Sequence, residues 1–340
     1  MLWNMSSLGV SDLEYGAITE GCGLLDRSER GKLALTGTEA KSFLQGQVSN
    51  DVEALAPGGG CYATFLTPKG KMLGDLRVLD CGLQPAADPA SGLIETGDAG
   101  VIQLLLLDTE RVALQELFNM IRRFSIGYAA QLHKRTLQVG LLSLLGPGAQ
   151  ATCGFDPGSQ EHAHVMGDVA GIAVRAVRTD LGIDLFCHSG ETDALAAALQ
   201  SSGATPVSDT VADVLRVERG RPRYGIDLDD TVIPQEADLN ARAVSFTKGC
   251  YVGQETVARL FYRGKPNRQL RGLRLSEPAF TGAEINFGER TVGRLGSVAE
   301  SPSFGSIALA LVRREAPPGS RVTVGPDEIE AVVVELPFGS

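Results

Sequence analysis

The 340-residue sequence has little that would place the protein in a membrane or in an oxidising compartment. Its longest apolar stretch, residues 101–107, is far shorter than the roughly 20 residues that cross a bilayer as a helix. The first residues lack the basic segment and apolar core of a signal peptide. The six cysteines are scattered singly, as is typical of proteins in a reducing compartment. We therefore expect a cytoplasmic protein with no membrane partner.

Metal-binding patterns are also scarce. No two cysteines form a C-x-x-C pair, which excludes the usual spacings of a zinc site and of a self-contained iron–sulfur site. The sequence has four histidines, and only His162 and His164 lie close together. Their segment is rich in Gly, Asp and Gln, so we predict a surface loop there and no metal site.

Nucleotide-binding motifs are absent, and the charge is mostly of one sign. Neither G-x-G-x-x-G nor G-x-x-x-x-G-K-[ST] occurs, which argues against a dinucleotide-binding fold and a P-loop nucleotidase. The net charge of −10 argues against bulk binding of nucleic acid or of an anionic membrane. Residues 259–274 are the exception, with no acidic residue and these cations: Arg259, Arg263, Lys265, Arg268, Arg271 and Arg274. This segment is either a solvated edge or a platform for an anionic ligand, such as a polyglutamate tail or a phosphate backbone.

Strand and helix patterns alternate in the first 265 residues, which predicts an α+β fold. Residues 72–79 alternate as a strand does, and apolar residues over 108–124 have helical spacing. Residues 82–100 are rich in Pro, Ala, Gly and Asp, which predicts a loop. Residues 266–340 contain short strand patterns separated by Gly and Pro, which predicts a small β-barrel.

The most informative segment is Lys248–Glu255, K-G-C-Y-V-G-Q-E, which continues to Arg259. A cysteine is nucleophilic as the thiolate, and a neighbouring cation or a helix N-terminus favours that form. A lysine precedes the cysteine, and residues 253–260 have the pattern of a first helical turn, in which Arg259 would pair with Glu255. Cys250 is therefore either a functional thiol near a helix N-terminus or a small buried apolar residue.

This octapeptide and the arginine after it resemble the signature of the YgfZ family. Members of that family are folate-binding proteins linked to iron–sulfur cluster assembly, and they are related in fold to the glycine-cleavage T-protein, an aminomethyltransferase. Residues 23–31, 43–52, 216–220 and 234–236 resemble segments of the T-protein as well. The similarity covers most of residues 20–265.

The resemblance implies two intertwined ferredoxin-like α+β domains and a C-terminal small β-barrel, arranged as a ring with folate in a central channel. The folate-binding region would comprise residues 1–265. One of its domains would combine approximately residues 1–50 with 135–265, and the other would span 51–134. The barrel would span 266–340.

The resemblance also implies a site for tetrahydrofolate or a one-carbon-substituted folate. Asp75 matches the second aspartate of the T-protein D-D-L motif, which is the catalytic one, whereas Gly74 replaces the first. This replacement weakens the case for T-protein chemistry. Tyr62 occupies a strand position that helps to enclose the pterin in the relatives, or it is an ordinary strand tyrosine.

Further site residues follow from the same resemblance. Asp180 and Asp184 stand where the T-protein has G-E-x-G-x-E, so either one would grip the pterin edge or belong to a turn. Arg216 matches an arginine that faces the folate, or it makes a salt bridge on a helix surface. The hypothesis makes Cys250 the functional thiol. Lys248 and Arg259 would support that thiol or the folate tail.

Three functions are consistent with these residues. The first is a tetrahydrofolate-binding accessory protein for assembly or repair of 4Fe–4S proteins, with iron–sulfur client or assembly proteins as partners. Its effect on tRNA modification would be indirect, without nucleic-acid binding. The alternative is a folate-dependent aminomethyltransferase of the glycine-cleavage type. The third is a non-catalytic scaffold that binds a partner protein through residues 259–274.

Overall fold

The computed structural model describes residues 11–85, 87–88, 94–95 and 101–339. The helices are α1 (Asp12–Thr19), α2 (Ala40–Gln45), α3 (Leu114–Phe124), α4 (Ala149–Cys153), α5 (Thr192–Ser201), α6 (Asp209–Glu218), α7 (Asn240–Ala243) and α8 (Gln254–Arg263), with a 3₁₀ turn at Ser189–Glu191. The strands are β1 (Gly23–Asp26), β2 (Gly31–Thr36), β3 (Gly60–Leu66), β4 (Met72–Pro85), β5 (Ala87–Asp88), β6 (Ile94–Glu95), β7 (Val101–Thr109), β8 (Gln131–Lys134), β9 (Val139–Leu145), β10 (His164–Val169), β11 (Ile172–Arg178), β12 (Gly182–His188), β13 (Thr205–Pro206), β14 (Arg268–Leu275), β15 (Glu284–Phe287), β16 (Arg290–Ser301), β17 (Gly305–Arg313), β18 (Arg321–Val324) and β19 (Ile329–Val334). In these ranges, no helix has both the length and the apolar character needed to span a membrane.

Two sheets pack face to face in the first part of the chain. The first has the strand order β10-β11-β12-β9-β1-β13, and the second has the order β3-β4-β7-β2-β8. Leu106 of the second sheet and Phe186 of the first belong to one buried apolar cluster between the sheets. On their other faces, α4 and α5 cover the first sheet, and α2 and α3 cover the second. Burial on both faces explains why residues such as those of β7 form a continuous apolar run.

The C-terminal part is a closed barrel with the strand order β14-β17-β16-β15-β18-β19. Its interior is filled by small and β-branched side chains such as Val292, Ala310 and Val333, which suit a narrow barrel. Val214 and Val217 of α6 pack on its outer surface. The predicted mixed α+β fold with a C-terminal β-barrel is confirmed.

Two predicted element boundaries are wrong. Strand β4 extends to Pro85, where a loop was predicted from residue 82, because residues 82–85 pair with β7. The helix predicted from residue 108 begins at Leu114, because Asp108 and Thr109 still belong to β7 and pair with β2. Of the predicted loop, residues 86, 89–93 and 96–100 lie outside the described residues.

The domain limits taken from the resemblance stay predictions. The sheets themselves are interleaved in sequence, since β1 pairs with β9 and β13 of the first sheet while β2, only a few residues later, pairs with β7 and β8 of the second. The chain therefore passes between the sheets directly after β1.

Candidate functional site

The hairpin of β3 and β4 brings Asp75 and Tyr62 together. Asp75 lies opposite Thr64 in the ladder and Tyr62 lies opposite Arg77, so the two side chains share one face as diagonal neighbours. The Tyr62 hydroxyl donates a hydrogen bond of 2.7 Å to Oδ2 of Asp75. The two residues that the resemblance singles out on this hairpin are thus in direct contact.

The fold gives a steric reason for a glycine at position 74. A Cβ atom at this position would lie 2.6 Å from the Phe65 ring and 2.6 Å from Cβ of Ala113. The backbone is irregular here, because the register of β3 and β4 shifts between Phe65 and Leu66. A second aspartate in place of Gly74 would therefore not fit without rearrangement of this hairpin.

Asp75 is buried, with 5% of its surface exposed. Burial raises the pKa of its carboxyl to about 6, against the opposing effect of the Tyr62 hydrogen bond, and Glu110 raises it further. The tyrosine responds in the same sense, since burial and the neighbouring Asp75 raise the pKa of Tyr62. Asp75 is therefore an aspartic acid that changes its protonation close to neutral pH.

A buried network of ion pairs lies beside Asp75. Arg30 donates to Oδ1 of Asp108 at 2.7 Å and also binds Glu110. Arg77 binds the other oxygen of Asp108 and reaches Oδ2 of Asp184 at 2.8 Å. Burial alone would raise the pKa of Asp108, but Arg30 and Arg77 outweigh it and hold that pKa well below its usual range. These ion pairs hold the charged groups beside Asp75 in fixed positions.

Asp184 joins the two sheets. It lies on β12 of the first sheet, where Oδ1 accepts a hydrogen bond of 2.6 Å from the Ser143 hydroxyl, while Arg77 of the second sheet binds Oδ2. Both carboxylate oxygens are therefore used inside the protein, and the side chain is buried. Its predicted contact with folate stays a prediction, and the structure gives it another role.

One cationic and one aromatic side chain lie near the Asp75–Tyr62 pair. The Arg242 guanidinium lies 5.3 Å from the centre of the Tyr62 ring and binds Glu161. Tyr224 lies within electrostatic reach of Asp75, and burial together with nearby carboxylates raises its pKa to about 12. Tyr62 and Tyr224 both pack against the same buried apolar cluster.

Several buried polar atoms have no hydrogen-bond partner in the described part of the chain. They include Nε of Arg223, Nε of Arg242 and both ring nitrogens of His162. Natural proteins leave few buried polar groups unpaired, so such groups point to a bound molecule or to water. Arg223 and Arg242 are half-buried, and their other guanidinium nitrogens form ion pairs, Arg223 with Asp213 and Arg242 with Glu161.

The predicted surface loop at His162 and His164 is wrong, since both side chains are buried. His164 begins β10, and its Nδ1 accepts a hydrogen bond of 2.9 Å from the Arg175 guanidinium. His162 has a left-handed backbone with φ of 69°, and burial and Arg77 lower the pKa of its ring to about 3. The glycine and aspartate content of this segment suggested exposure, but Val165 and Met166, further along the edge strand β10, are exposed, whereas both histidines are buried. In the described ranges, no cluster of metal-ligating side chains occurs.

Asp180 lies apart from Asp75. It is exposed, with its carboxylate 2.5 Å from Nε of Arg221 and 3.8 Å from Arg242. It lines a cavity of about 680 Å³ between α1, α6 and the barrel, which neither Tyr62 nor Asp75 lines. Through Arg242 it is nevertheless connected to the Tyr62 ring.

Arg216 connects α6 to the barrel. It binds Asp227 at 3.0 Å, the Ser297 hydroxyl at 2.6 Å and Asp213 at 3.1 Å. Asp227 also accepts the backbone N–H of Ser297 at 2.7 Å. The guanidinium is thereby committed to the junction with the barrel, and its predicted contact with folate stays a prediction.

The cysteine segment forms a firmly held loop. Nζ of Lys248 donates to three backbone carbonyls, of Gln45 (2.6 Å), Val48 (2.8 Å) and Asn50 (2.7 Å). The electrostatic neighbour of this ammonium among the thiols is Cys61, whose pKa burial raises to about 12 against the effect of Lys248. Cys250 itself is exposed, unlike the other five cysteines. Lys248 thus anchors the loop that presents Cys250.

Helix α8 begins at Gln254, after Gly253 in a left-handed conformation. Arg259 is exposed on this helix, and the described residues include no ion pair between it and Glu255. Cys250 therefore precedes the helix by four residues. The predicted roles of Lys248 and Arg259 at the folate tail stay predictions.

The chain matches two domain models of known proteins. Residues 7–84 match the GCVT N-terminal domain, and residues 268–339 match the glycine cleavage T-protein C-terminal barrel domain. A chloroplastic candidate transferase of Arabidopsis thaliana is 26% identical over 98% of this chain and 75% of its own length. The aminomethyltransferase of Thermotoga maritima is 28% identical over 96% of this chain and 88% of its own length.

A solved structure has the same overall fold. The glycine cleavage system aminomethyltransferase T from Bartonella henselae superimposes with a TM-score of 0.79 and 22% identity, over 96% of this chain and 88% of that one. The YgfZ resemblance is neither matched nor contradicted by these similarities. The chain thus matches the N-terminal and barrel domain models of the T-protein, and its fold is like that of an aminomethyltransferase.

Proposed function

We propose that this protein binds a reduced folate at Asp75 and acts as a folate-dependent transferase of a one-carbon unit. The observation that carries the proposal is the buried Asp75 carboxyl, with a pKa of about 6 and a single side-chain partner, Tyr62. The similarity to aminomethyltransferases over nearly the whole chain supports the reaction class.

The chemistry of a pterin fits this group. The pterin ring has an edge of N–H groups and ring nitrogens, and a carboxyl group can grip it with two hydrogen bonds. Only one oxygen of Asp75 is engaged by a side chain in the described residues, which leaves the other for a ligand. The rings of Tyr62 and Tyr224 would enclose the flat faces of the pterin.

The folate tail requires cations. Arg223 and Arg242 have guanidinium Nε atoms without partners, and Arg242 already lies over the Tyr62 ring. A carboxylate of the glutamate tail is a natural acceptor for these donors. Arg242, which contacts the Tyr62 ring, is therefore the stronger candidate for binding the tail, and the sequence did not single it out.

A buried acid that titrates near neutral pH is suited to proton transfer. Transfer of an aminomethyl carbon to tetrahydrofolate joins that carbon to two folate nitrogens and breaks its bonds to the carrier sulfur and to the amine. The two hydrogens lost from the folate nitrogens end on the sulfur and on ammonia. Asp75 is the residue that would relay a proton between these atoms.

The test is release of ammonia from an aminomethyl-lipoyl carrier protein in the presence of tetrahydrofolate. We expect activity in the wild type, a loss of about 100-fold or more in Asp75→Asn and little change in Asp193→Asn. Asp193→Asn is the control because this carboxylate is exposed on α5, which covers the face of the first sheet turned away from the second. Wild-type protein that binds tetrahydrofolate without releasing ammonia would contradict the transferase proposal and leave folate binding intact.

A second candidate function is the accessory role in assembly or repair of 4Fe–4S proteins. The observation that favours it is the exposure of Cys250 on a loop that Lys248 holds through three carbonyls. The test is complementation of a deletion strain by Cys250→Ala, with the activity of an iron–sulfur enzyme as the readout. Full complementation by this variant would contradict the candidate role of the thiol.

A further inference from the structure

Three cations of the segment 259–274 have neither an ion pair nor an aromatic ring as partner in the described part of the chain. Arg268 binds Glu236, Arg271 binds Glu335, and Arg274 lies over the Phe304 ring. The three that remain are all exposed, at the end of α8 or directly after it: Arg259, Arg263 and Lys265. Their charge is not used by the fold.

The same helix end carries an aromatic cluster. The rings of Phe246 and Phe261 stack with centroids 3.9 Å apart, and the Tyr262 ring meets that of Phe261 edge-on at 5.0 Å. Phe261 is 45% exposed and Tyr262 is 67% exposed. We call the surface of Phe246, Arg259, Phe261, Tyr262, Arg263 and Lys265 the α8 patch.

The α8 patch has the composition of a protein interface. Tyrosine, phenylalanine and arginine are enriched in interface centres, where the aromatic side chains supply contact area and arginine supplies directed hydrogen bonds. Arg259, Tyr262 and Arg263 are three and four positions apart, so they share one face of the helix. An exposed tyrosine between two unpaired arginines offers an apolar centre with a cationic rim.

We propose that the α8 patch is a docking surface for an acidic segment of a partner protein. The argument is charge complementarity, because the patch is a local concentration of unpaired positive charge on a chain with a net charge of −10. A partner with clustered Asp and Glu would be drawn to the patch and repelled elsewhere. This proposal is independent of folate binding and of transfer at Asp75.

A nucleic acid suits the patch less well. Its phosphates would meet the acidic remainder of the surface, and three cations neutralise few of them. Stacking of bases needs free aromatic faces, but Phe246 and Phe261 cover one face of each other. The aromatic rings therefore form a compact cluster and not a series of open platforms.

The patch adjoins the loop of Cys250. Phe246 precedes this loop and Phe261 follows it, so their stacked rings close residues 247–260 at one end. Gly249, next to the exposed thiol, has open space where a Cβ would be and lies outside the left-handed region. The fold does not require a glycine there, which agrees with close approach of a partner to this loop.

The experiment places a photoreactive p-benzoylphenylalanine at position 262 of the full chain, in its own cells, and identifies the crosslinked peptide. We expect one partner, crosslinked through a segment with an excess of Asp and Glu. Arg259→Glu combined with Arg263→Glu should lower the yield about tenfold or more. The matched control, Arg290→Glu combined with Arg313→Glu on the barrel, should leave it unchanged.

A second measurement uses the crosslinked segment as a synthetic peptide. Its affinity for the wild-type protein should fall about tenfold between 50 and 500 mM salt. Crosslinks to nucleic acid, to a second copy of this chain or to a segment without acidic excess would each overturn the proposal. So would the absence of any crosslink from a variant whose melting temperature equals that of the wild type, because position 262 is exposed.

Discussion

The hydroxyl of Tyr62 donates a hydrogen bond of 2.7 Å to Oδ2 of Asp75. This bond connects adjacent strands of one hairpin and lies beside a network of buried ion pairs, so the position of the carboxyl is set by the fold. Asp75 is held in place before any ligand arrives. Such preorganisation is what a binding or catalytic carboxyl requires.

Asp75→Asn should stabilise the protein at neutral pH. Because the folded-state pKa is raised to about 6, ionisation of Asp75 costs stability as pH rises from about 4 to 6. The cost approaches about 1–3 kcal/mol above pH 6 and is absent at low pH, where the carboxyl is protonated in both states. The check is the difference in free energy of unfolding between the two proteins at pH 4, 5, 6 and 8. A difference that does not grow with pH would contradict the buried state of Asp75.

Tyr62→Phe should raise the pKa of Asp75 above about 6. The hydroxyl donates to the ionised carboxyl and favours that form, so its removal favours the protonated form. The measurement is the ¹³C chemical shift of the Asp75 carboxyl as a function of pH. Tyr128→Phe, on a distant exposed tyrosine, is the control and should leave the titration unchanged. A lower pKa in Tyr62→Phe would refute the hydrogen bond.

Asp108→Asn should destabilise the protein by about 3–5 kcal/mol at pH 7, because it leaves Arg30 and Arg77 buried with one partner fewer. The pKa of Asp108 lies below its usual range, so its contribution is present above about pH 4 and is lost as pH falls. Denaturant unfolding at pH 7 and at pH 3.5 measures both effects. A variant as stable as the wild type at pH 7 would contradict the role of this network.

Lys248→Met should cost about 2–4 kcal/mol, because three backbone carbonyls lose their donor in a partly buried place. Cys250→Ala should change stability by less than about 0.5 kcal/mol, because the thiol is exposed. Thermal unfolding of the two variants compares the stability contributed by the Lys248 anchor with that contributed by the exposed Cys250. Equal stability of Lys248→Met and the wild type would show that the loop is not held by this lysine.

Alanine substitutions of two glycines should differ in the size of their effect on stability. Gly74→Ala should destabilise by about 1–3 kcal/mol, since its Cβ would lie 2.6 Å from Phe65 and from Ala113. Gly249→Ala should be neutral within about 0.5 kcal/mol, because its Cβ would meet no neighbour. The melting temperatures of both variants decide the matter. A destabilised Gly249→Ala would mean that the loop is more tightly packed than its surroundings indicate.

The fold and part of the candidate site could be predicted from the sequence. The barrel follows from closely spaced strand patterns, and Asp75 and Tyr62 follow from a motif on one hairpin, where partners are near in sequence. The partners of Arg77 could not be predicted, because Asp108 and Asp184 come from distant strands of two sheets. The burial of His162 could not be predicted for the same reason, because the composition of its segment is that of a surface loop.

The contacts of charged side chains also could not be predicted from their positions in the sequence. Lys248 precedes the cysteine, but its ammonium turns to the carbonyls of residues 45, 48 and 50. Of six cations in 259–274, only the three near α8 have neither an ion pair nor a ring contact in the described chain. Such choices depend on backbone geometry that is set by contacts across the fold.

The most direct test of the central claim is calorimetric titration of tetrahydrofolate into the wild type, Asp75→Asn and Asp193→Asn. We predict binding to the wild type, affinity at least about tenfold weaker for Asp75→Asn, and affinity within about twofold of the wild type for Asp193→Asn. Equal affinity of the wild type and Asp75→Asn, or no binding to the wild type, would contradict a folate site at Asp75.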